Sequence, residues 1–373
     1  MNTAPSLTYI DLFAGAGGFS QGFKEAGDRF THEIGVELDS AAAATYRENH
    51  GRVFEGDIAT WLTRPTLPPA DVVVGGPPCQ GFSMLGKQDP ADPRNKLWQA
   101  YLEAIRRIQP RYFVMENVAA FAGSPAFRAM IHDLQESDQL KGRFTLEHRV
   151  LNAADHGAAQ ARKRVIIIGS RTDVAPMSFP SGLLEQRDVR SVIGHLPPPI
   201  TADWPQRELN GAGIRGPYLT RDIHIDRKYR ELSLNRFDAI PPGGSRFDLP
   251  DHLKAPCWIK HKSGSGDVMG RLHWDRPSVT IRTEFFKPEK GRYIHPEQNR
   301  AITHREAALL QGFHEDYRWF GTRTQVARQI GNAVPVPLAR ALAESVLAAY
   351  DRTTQSTLSA TLLGQPRLNQ IVA

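Results

Sequence analysis

The sequence predicts an α/β protein in which a doubly wound, mostly parallel sheet is accompanied by a smaller domain rich in loops and strands. Short β-branched or apolar runs alternate with helix-like stretches over the first 170 residues, which is typical of a parallel sheet. A glycine-rich turn follows the first of these runs, where such folds bind ligands. From about residue 181 to 300 the alternation weakens and Pro and Gly become frequent, which predicts longer loops and short strands.

The individual elements follow from local patterns. The strands are expected at 7–13, 32–39, 71–76, 111–118 and 164–170, each an apolar run followed by a turn. A helix is expected over 96–108, where Leu97 begins an apolar repeat with helical spacing that ends before Pro110. Two more helices, over 303–313 and 337–350, close the chain, and the polar tail after Arg352 is expected to be loose. The domains are therefore predicted as 1–180 together with 325–373, and 181–324.

Composition excludes several classes of protein. The chain has 373 residues, enough for two or three domains, and 40% of them are hydrophobic, with a mean hydropathy of −0.40. No apolar run approaches the roughly 20 residues of a membrane span, and the first residues do not resemble a secretory signal. Two cysteines are too few for a disulfide framework or a thiolate zinc site. We expect a cytoplasmic protein without a metal.

The positive charge is concentrated in one segment. Residues 181–300 contain 20 Lys and Arg against 15 Asp and Glu, so this segment carries +5 of the net charge of +6. A solvated basic surface and a module that faces a polyanion both account for such an excess.

The glycine-rich turn predicts a nucleotide site. Asp11 precedes the turn, and about 20 residues further on Glu37 ends the second strand, where it could accept hydrogen bonds from ribose hydroxyls. Asp57 follows a short third strand, where it could accept from an adenine amino group; a helix N-cap is the structural alternative for both acids. The turn departs from G-x-G-x-x-G because Ser20 occupies the third position, which favours S-adenosylmethionine over a dinucleotide without excluding NAD.

The two cysteines differ in their surroundings. Cys79 lies in GGPPCQGFS (75–83), directly after a buried strand, in a turn of small residues and prolines that leaves a thiol accessible beside the nucleotide site. A nucleophilic thiol needs a polar or cationic setting, since a free thiol has a pKa of about 8.5. Cys257, in KAPCWIK, has no such setting and is expected to pack in the interior.

At this point the sequence resembles the cytosine-C5 DNA methyltransferases of bacterial restriction–modification systems. Their motifs occur in the family's order over nearly the whole length: DLFAGAGGFSQGF, VELD, EGDI, GGPPCQGFS, ENV (116–118), QARKR (160–164), REAALLQGF (305–313) and QIGNAVPVPLA (329–339). The resemblance implies a Rossmann-like catalytic domain that binds S-adenosylmethionine. It also implies that 181–324, the segment set apart by texture, is a target-recognition domain for double-stranded DNA.

The chemistry that the resemblance implies can be followed from the residues. Addition of the Cys79 thiolate to C6 of cytosine makes C5 nucleophilic, provided that charge developing on the ring is neutralised. Glu116, at the end of its strand, is the candidate acid against N3. Arg162 and Arg164 are two apart on one strand, so both side chains are expected to face the same side. The resemblance implies that they contact the target base and the catalytic pocket; a surface pair flanking Lys163 is the structural alternative. The base must leave the duplex to reach Cys79, at a cost of a few kcal/mol.

The resemblance also implies which residues bind the cofactor and the DNA. The cofactor residues are Asp11, Phe13, Gly15, Gly17, Gly18, Glu37, Leu38, Asp57, Ile58, Pro78, Leu97, Asn332 and Ala333. Leu38 departs from the aromatic residue of some members. The DNA-binding residues are Gln80, Ser83, Arg271, Arg276, Thr280 and Arg282. Arginine reads guanine bidentately, although most arginines near DNA contact phosphate. Trp274, Phe285 and Phe286 are expected in the core.

Three other functions remain as alternatives. An RNA methyltransferase would keep the chemistry on a transfer RNA, and the long basic segment favours DNA over it. A DNA-binding regulator that has lost catalysis is disfavoured because Cys79 and Glu116 are intact. A nicotinamide oxidoreductase would leave Pro-Pro-Cys-Gln unexplained. We expect a monomer that works beside a cognate restriction endonuclease.

Overall fold

The computed structural model of the protein describes residues 6–78, 97–183, 185–260 and 264–363, the last seven by their backbone alone. A seven-stranded sheet has the order β3-β2-β1-β4-β5-β8-β6. Its strands and the two-residue β7 are β1 Leu7–Leu12, β2 Phe30–Glu37, β3 Val53–Glu55, β4 Val72–Gly75, β5 Tyr112–Val118, β6 Phe144–Asn152, β7 Gln160–Ala161 and β8 Lys163–Arg171.

The first five sheet strands are parallel, and all five runs predicted as strands are strands. The strand β8 is antiparallel to both β5 and β6, so the sheet is mostly, not wholly, parallel. The strand β6 was not predicted from the sequence. It lies at the sheet edge with most of its side chains half-buried or exposed, and therefore lacks the apolar run of a central strand.

Helices cover both faces of this sheet. Successive residues of β4 alternate between the two layers: Val72 and Val74 pack in one core cluster and Val73 in the other. The first layer contains α1 and α11, and the second contains α3, α4 and α5. The helices of the chain's first half are α1 Gly18–Glu25, α2 Ser40–His50, α3 Ile58–Leu62, α4 Leu97–Ile108 and α5 Pro125–Glu136. This two-sided arrangement confirms the doubly wound prediction.

The segment 181–324 is built from short elements, as predicted. It contains α6 Val189–Ile193, α7 Glu231–Ala239, α8 Pro256–Lys260 and α9 His304–Leu310, with β9 Ile200–Thr201, β10 Tyr218–Leu219, β11 Ile225–Asp226, β12 Gly270–Arg271, β13 Ser278–Val279, β14 Arg292–Ile294 and β15 Arg318–Trp319. Phe285 and Phe286 lie in its core and Trp274 packs against it, which confirms their predicted place.

Two helices complete the chain, α10 Arg323–Asn332 and α11 Val336–Leu363. The boundary predicted between residues 324 and 325 falls in the first turn of α10, whose Val326 and Ile330 pack in the core of the preceding segment. In α11, Leu338, Leu342 and Val346 are buried against the sheet. The helix continues past Arg352 to Leu363, so the prediction of a loose tail is wrong as far as Leu363. Within the described residues no helix is long and apolar enough to cross a membrane.

Candidate active site

The turn after β1 has the backbone conformation that its glycines permit. Gly15 and Gly17 have positive φ angles of 56° and 91°, which cost side-chain-bearing residues strain. A Cβ on Gly18 would clash with the backbone oxygen of Val334, so this glycine allows the turn that follows α10 to lie on the loop. Phe13 also has a positive φ, of 57°, and is half-buried.

Glu37 joins this turn to the end of β2. One carboxylate oxygen accepts from the backbone N–H of Gly15 at 2.7 Å, and the other accepts from that of Asp39 at 2.7 Å. Burial raises the pKa of Glu37, and these hydrogen bonds oppose the rise. Asp39, rather than Glu37, caps α2. Asp57 is exposed and caps α3 by accepting from the N–H of Ala59 at 2.8 Å, while its contact with adenine stays a prediction.

A buried hydrogen-bond chain supports the turn from below. Ser20 donates to Asp11 at 2.7 Å, Tyr46 bonds to Ser20 at 2.6 Å, and His32 bonds to Tyr46 at 2.8 Å. Burial raises the pKa of Asp11 to about 8. Because this carboxyl group is buried and turned to Ser20, it has no surface for a ligand. The prediction that Asp11 contacts the cofactor is therefore corrected: it supports the loop.

A residue far along the chain also holds the turn. The Tyr317 hydroxyl donates to the backbone oxygen of Ala16 and bonds to His50 at 2.9 Å. A Cβ on Gly17 would come within 2.5 Å of the His50 ring and 3.1 Å of the Tyr317 hydroxyl. Nothing in the local sequence indicates this contact, because Tyr317 lies 301 residues from Ala16.

The end of β5 lies against the turn that leads to Cys79. The side chain of Asn117 donates to the backbone oxygen of Pro77 at 3.1 Å. A Cβ on Gly76 would lie 3.1 Å from Glu116 Oε2, so glycine lets this carboxyl group approach the turn. Cys79, Gln80 and Ser83 lie outside the described residues, and the described turn ends at Pro78. Sequence reasoning named the strand end but not the role of Gly76.

An ion pair lies at this point of the sheet. Arg164 Nε and Glu116 Oε1 are 2.6 Å apart, and 13% and 12% of the two side chains are exposed. Glu116 pairs with Ile166 and Val118 with Arg164 in the antiparallel ladder, so the two charged residues are diagonal neighbours on one face. The two side chains are therefore in direct contact, and their catalytic role stays a prediction.

Arg162 is placed differently from the prediction. It lies between β7 and β8, not on one strand with Arg164, and its buried guanidinium donates to the backbone oxygens of Ile281 and Gly331, both at 3.0 Å. Burial, with Arg164 nearby, lowers the pKa of Arg162. The expectation that both arginines lie on one strand and face the same side is therefore wrong.

The remaining predicted cofactor residues differ in how far they are exposed to solvent. Leu38 is 68% exposed, Pro78 and Asn332 are exposed, Leu97 is half-buried, and Ile58 and Ala333 are buried. Asn332 ends α10, and Ala333 follows it. Among the described residues, no group of three His, Cys, Asp or Glu side chains could hold a metal ion.

The predicted DNA-reading arginines divide into buried and accessible ones. Arg271 is only 4% exposed and donates to Phe237, Ile240, His295, Gln298 and Asn299. The prediction that Arg271 contacts DNA is corrected, because its guanidinium is buried and donates its hydrogen bonds within the segment 181–324. Arg276 is exposed, and Arg282 is half-buried with its Nε 3.0 Å from the Tyr293 hydroxyl.

Two further predictions concern single side chains. The Thr280 hydroxyl donates to the backbone oxygen of Ala161 at 3.0 Å, which ties it to the segment before Arg162. Cys257 is exposed on the short helix α8, so the prediction that it packs in the interior is wrong. None of the five residues of this helix is buried.

Comparison with known proteins identifies the family to which the chain belongs. The profile of the C-5 cytosine-specific DNA methylase family matches residues 7–348. The chain is 38% identical over 355 residues to Type II methyltransferase M1.HphI of Haemophilus parahaemolyticus, covering 92% of this chain and 87% of that protein. It is 33% identical to Type II methylase M.HgiDII of Herpetosiphon aurantiacus, with 90% and 94% covered.

Solved structures share the fold. A protein of E. coli encoded within a prophage, described as a DNA modification methyltransferase, has a TM-score of 0.71 at 22% identity, covering 93% of this chain and all of that one. The Dnmt2 methyltransferase of S. pombe has a TM-score of 0.53 at 17% identity, covering 92% and 98%. The fold, the matched profile and the relatives agree. The chain belongs to the C-5 cytosine-specific DNA methylase family and is a DNA cytosine-5-methyltransferase.

Proposed function

We propose that the protein methylates C5 of a cytosine flipped out of a specific short sequence in double-stranded DNA, through a covalent bond between Cys79 and C6. The observation that carries the proposal is the Glu116–Arg164 ion pair beside Gly76, in the turn that runs into Cys79. An acid and a cation thereby lie next to the segment of the nucleophile, at the sheet edge that also holds the glycine-rich loop.

The residues have distinct roles in this reaction. The Cys79 thiolate adds to C6, which forms the S–C6 bond and moves electron density to C5 and N3. Glu116 takes up a proton when the base enters the site and donates it to N3, which neutralises the charge that develops on the ring; the proton returns when the adduct collapses. Arg164 orients the carboxyl group through Oε1 and leaves Oε2 beside Gly76. The methyl group that C5 takes up would come from the sulfonium of S-adenosylmethionine, which would leave as S-adenosylhomocysteine. C5 then loses its proton to a base, and the S–C6 bond breaks to release the Cys79 thiolate.

The methyl donor is S-adenosylmethionine. The residues at the sheet edge fit a bound nucleoside: Gly15 has open space where a Cβ would be, and each oxygen of Glu37 retains a lone pair beside its backbone N–H partner. Phe13, Leu38 and Ile58 would bound the adenine, and Asn332 and Ala333 would cover the methionine part. Gly17 and Gly18 would let the loop lie close to the bound cofactor, because neither carries a side chain.

The proposed substrate is duplex DNA, bound between the catalytic residues and the recognition domain 181–324. Arg276, Arg282, Gln80 and Ser83 are the proposed contacts; Thr280 acts through its bond to Ala161. The relatives carry Type II methyltransferase names, which supports protection of host DNA from a cognate restriction endonuclease. An exposed arginine supplies either a phosphate contact or a base contact.

The test is methyl transfer from labelled S-adenosylmethionine to unmethylated duplex DNA, followed by conversion sequencing. We expect C5-methylcytosine within one short motif, and none with Cys79→Ser. Transfer RNA serves as the competing substrate, and Cys257→Ser is the matched control that should retain activity. Label in RNA but not in DNA, or unchanged activity of Cys79→Ser, would overturn the proposal.

A further inference from the structure

Two fully buried glutamines connect three segments of the chain. Gln160 Nε2 donates to Gln311 Oε1 at 2.8 Å, and Gln311 Nε2 donates to the backbone oxygen of Ile330 at 2.6 Å. Gln160 Oε1 accepts from the backbone N–H of Ile281 at 2.8 Å. The amides thus form a directional chain, hereafter the amide relay, that runs from Ile281 through both side chains to Ile330.

One end of the amide relay holds the recognition segment. Residues Ser278 and Val279 of β13 pair in parallel with Gln160 and Ala161 of β7. Arg162 adds a donor to the oxygen of Ile281, the same residue whose N–H bonds to Gln160. The chain that carries Arg276 and Arg282 is therefore bonded to the segment that leads into Arg164.

The other end holds the turn that lies on the cofactor loop. The backbone oxygen of Gln311 accepts from the N–H of Val336 at 3.0 Å, while its side chain bonds to Ile330. Gln311 is therefore hydrogen-bonded to the residues on both sides of the segment 331–335, which contains Asn332 and Ala333. Within that segment the oxygen of Val334 packs against Gly18 so closely that no Cβ would fit there.

We propose that Gln160 and Gln311 are positioning residues that couple recognition of the DNA sequence to cofactor binding. Both side chains are completely buried, so an amide that loses its partner finds no water in exchange. A shift of residues 280–281 on cognate DNA must therefore be followed by residues 330–335, or a buried polar group is left unpaired. By linkage the effect is reciprocal: cognate DNA tightens the cofactor site, and the cofactor tightens cognate DNA binding by the same factor.

This inference rests on the proposed function, and the test separates the two. The probe is S-adenosylhomocysteine, titrated by calorimetry into the full-length protein with and without the duplex found methylated by sequencing. For the wild type we expect the duplex to raise the affinity by roughly 5- to 150-fold, the usual range of such coupling. A duplex of the same length without the motif should raise it much less.

The variants are Gln311→Met and Gln160→Met, which keep the side-chain length and remove the amide. We expect each to bind S-adenosylhomocysteine without DNA and to lose most of the enhancement, and the double variant to lose no more than either one. The matched control is Gln329→Met, a buried glutamine that donates to the Phe320 oxygen at 2.8 Å outside the relay. It should retain the wild-type enhancement.

Three outcomes decide the matter. The coupling would be overturned if the duplex still enhanced S-adenosylhomocysteine affinity fully in both relay variants. It would also be overturned if Gln329→Met lost this enhancement equally. In either case, methylation of DNA by the wild type would leave the proposed function standing. Absence of enhancement in a wild type that methylates DNA would overturn it as well. If Gln311→Met does not fold, Gln160→Met carries the test, because it removes the donor to Gln311 and leaves the bond between Gln311 and Ile330 in place.

Discussion

Arg271 offers the sharpest contrast between a structural role and a DNA-binding role. Its guanidinium donates to the backbone oxygens of Phe237 at 2.6 Å, Ile240 at 3.2 Å, His295 at 2.9 Å and Gln298 at 3.0 Å. Arg271→Met keeps the stem and removes every donor. If each of the four orphaned carbonyls costs about 1 kcal/mol, the lower end of the usual range, the free energy of unfolding falls by about 4 kcal/mol.

The assay is urea unfolding followed by tryptophan fluorescence. With a slope of about 2–3 kcal/mol per molar urea, a loss of this size lowers the unfolding midpoint by about 1.3–2 M. The matched control is Arg276→Met, because the Arg276 side chain is 60% exposed and lies 3.6 Å from exposed Asp275. We expect its free energy of unfolding to change by no more than about 0.5 kcal/mol, and its DNA affinity to lose part of its salt dependence. A wild-type midpoint for Arg271→Met, with weakened DNA binding, would refute the reasoning.

Three further predictions concern the catalytic domain. Glu116→Gln removes the charge that pairs with Arg164, so single-turnover methyl transfer should slow by about 10²-fold or more while calorimetry shows unchanged S-adenosylhomocysteine affinity. Gly18→Ala should lower the melting temperature more than Gly15→Ala. The added Cβ at position 18 clashes with Val334, whereas position 15 has open space and the substitution there costs only about 1–2 kcal/mol of backbone strain. Equal melting temperatures of the two variants would contradict this. Ionising buried Asp11 opposes folding, because its pKa is raised to about 8. Wild-type stability should therefore decline relative to Asp11→Asn between about pH 4 and pH 8, as the unfolded state releases the proton first; parallel pH profiles of urea unfolding would contradict it.

The sheet was predictable because central strands are buried on both faces and so appear as continuous apolar runs. The strand β6 was not, since its edge position leaves seven of its nine residues half-buried or exposed and breaks the apolar run. Loop glycines and strand-end acids were likewise visible as local patterns. Their partners were not, because Tyr317 reaches the loop from 301 residues away.

The errors have a common physical cause. A sequence does not reveal which arginine is buried, since the carbonyls that receive Arg271 come from segments around residues 240 and 295. Arg162 was assigned to a strand by its spacing, yet the chain leaves the ladder between β7 and β8 and turns this side chain inward. Long-range partners therefore decided what spacing alone could not.

The most direct test of the central claim is to trap the covalent intermediate. A duplex with 5-fluorocytosine at the methylated position can accept a thiolate at C6 and a methyl group at C5, but fluorine cannot leave as a proton does. The account predicts a denaturation-resistant protein–DNA complex that requires S-adenosylmethionine, with the adduct on the peptide containing Cys79 by mass spectrometry. A complex on Cys257, or methylated DNA without any adduct under these conditions, would contradict it.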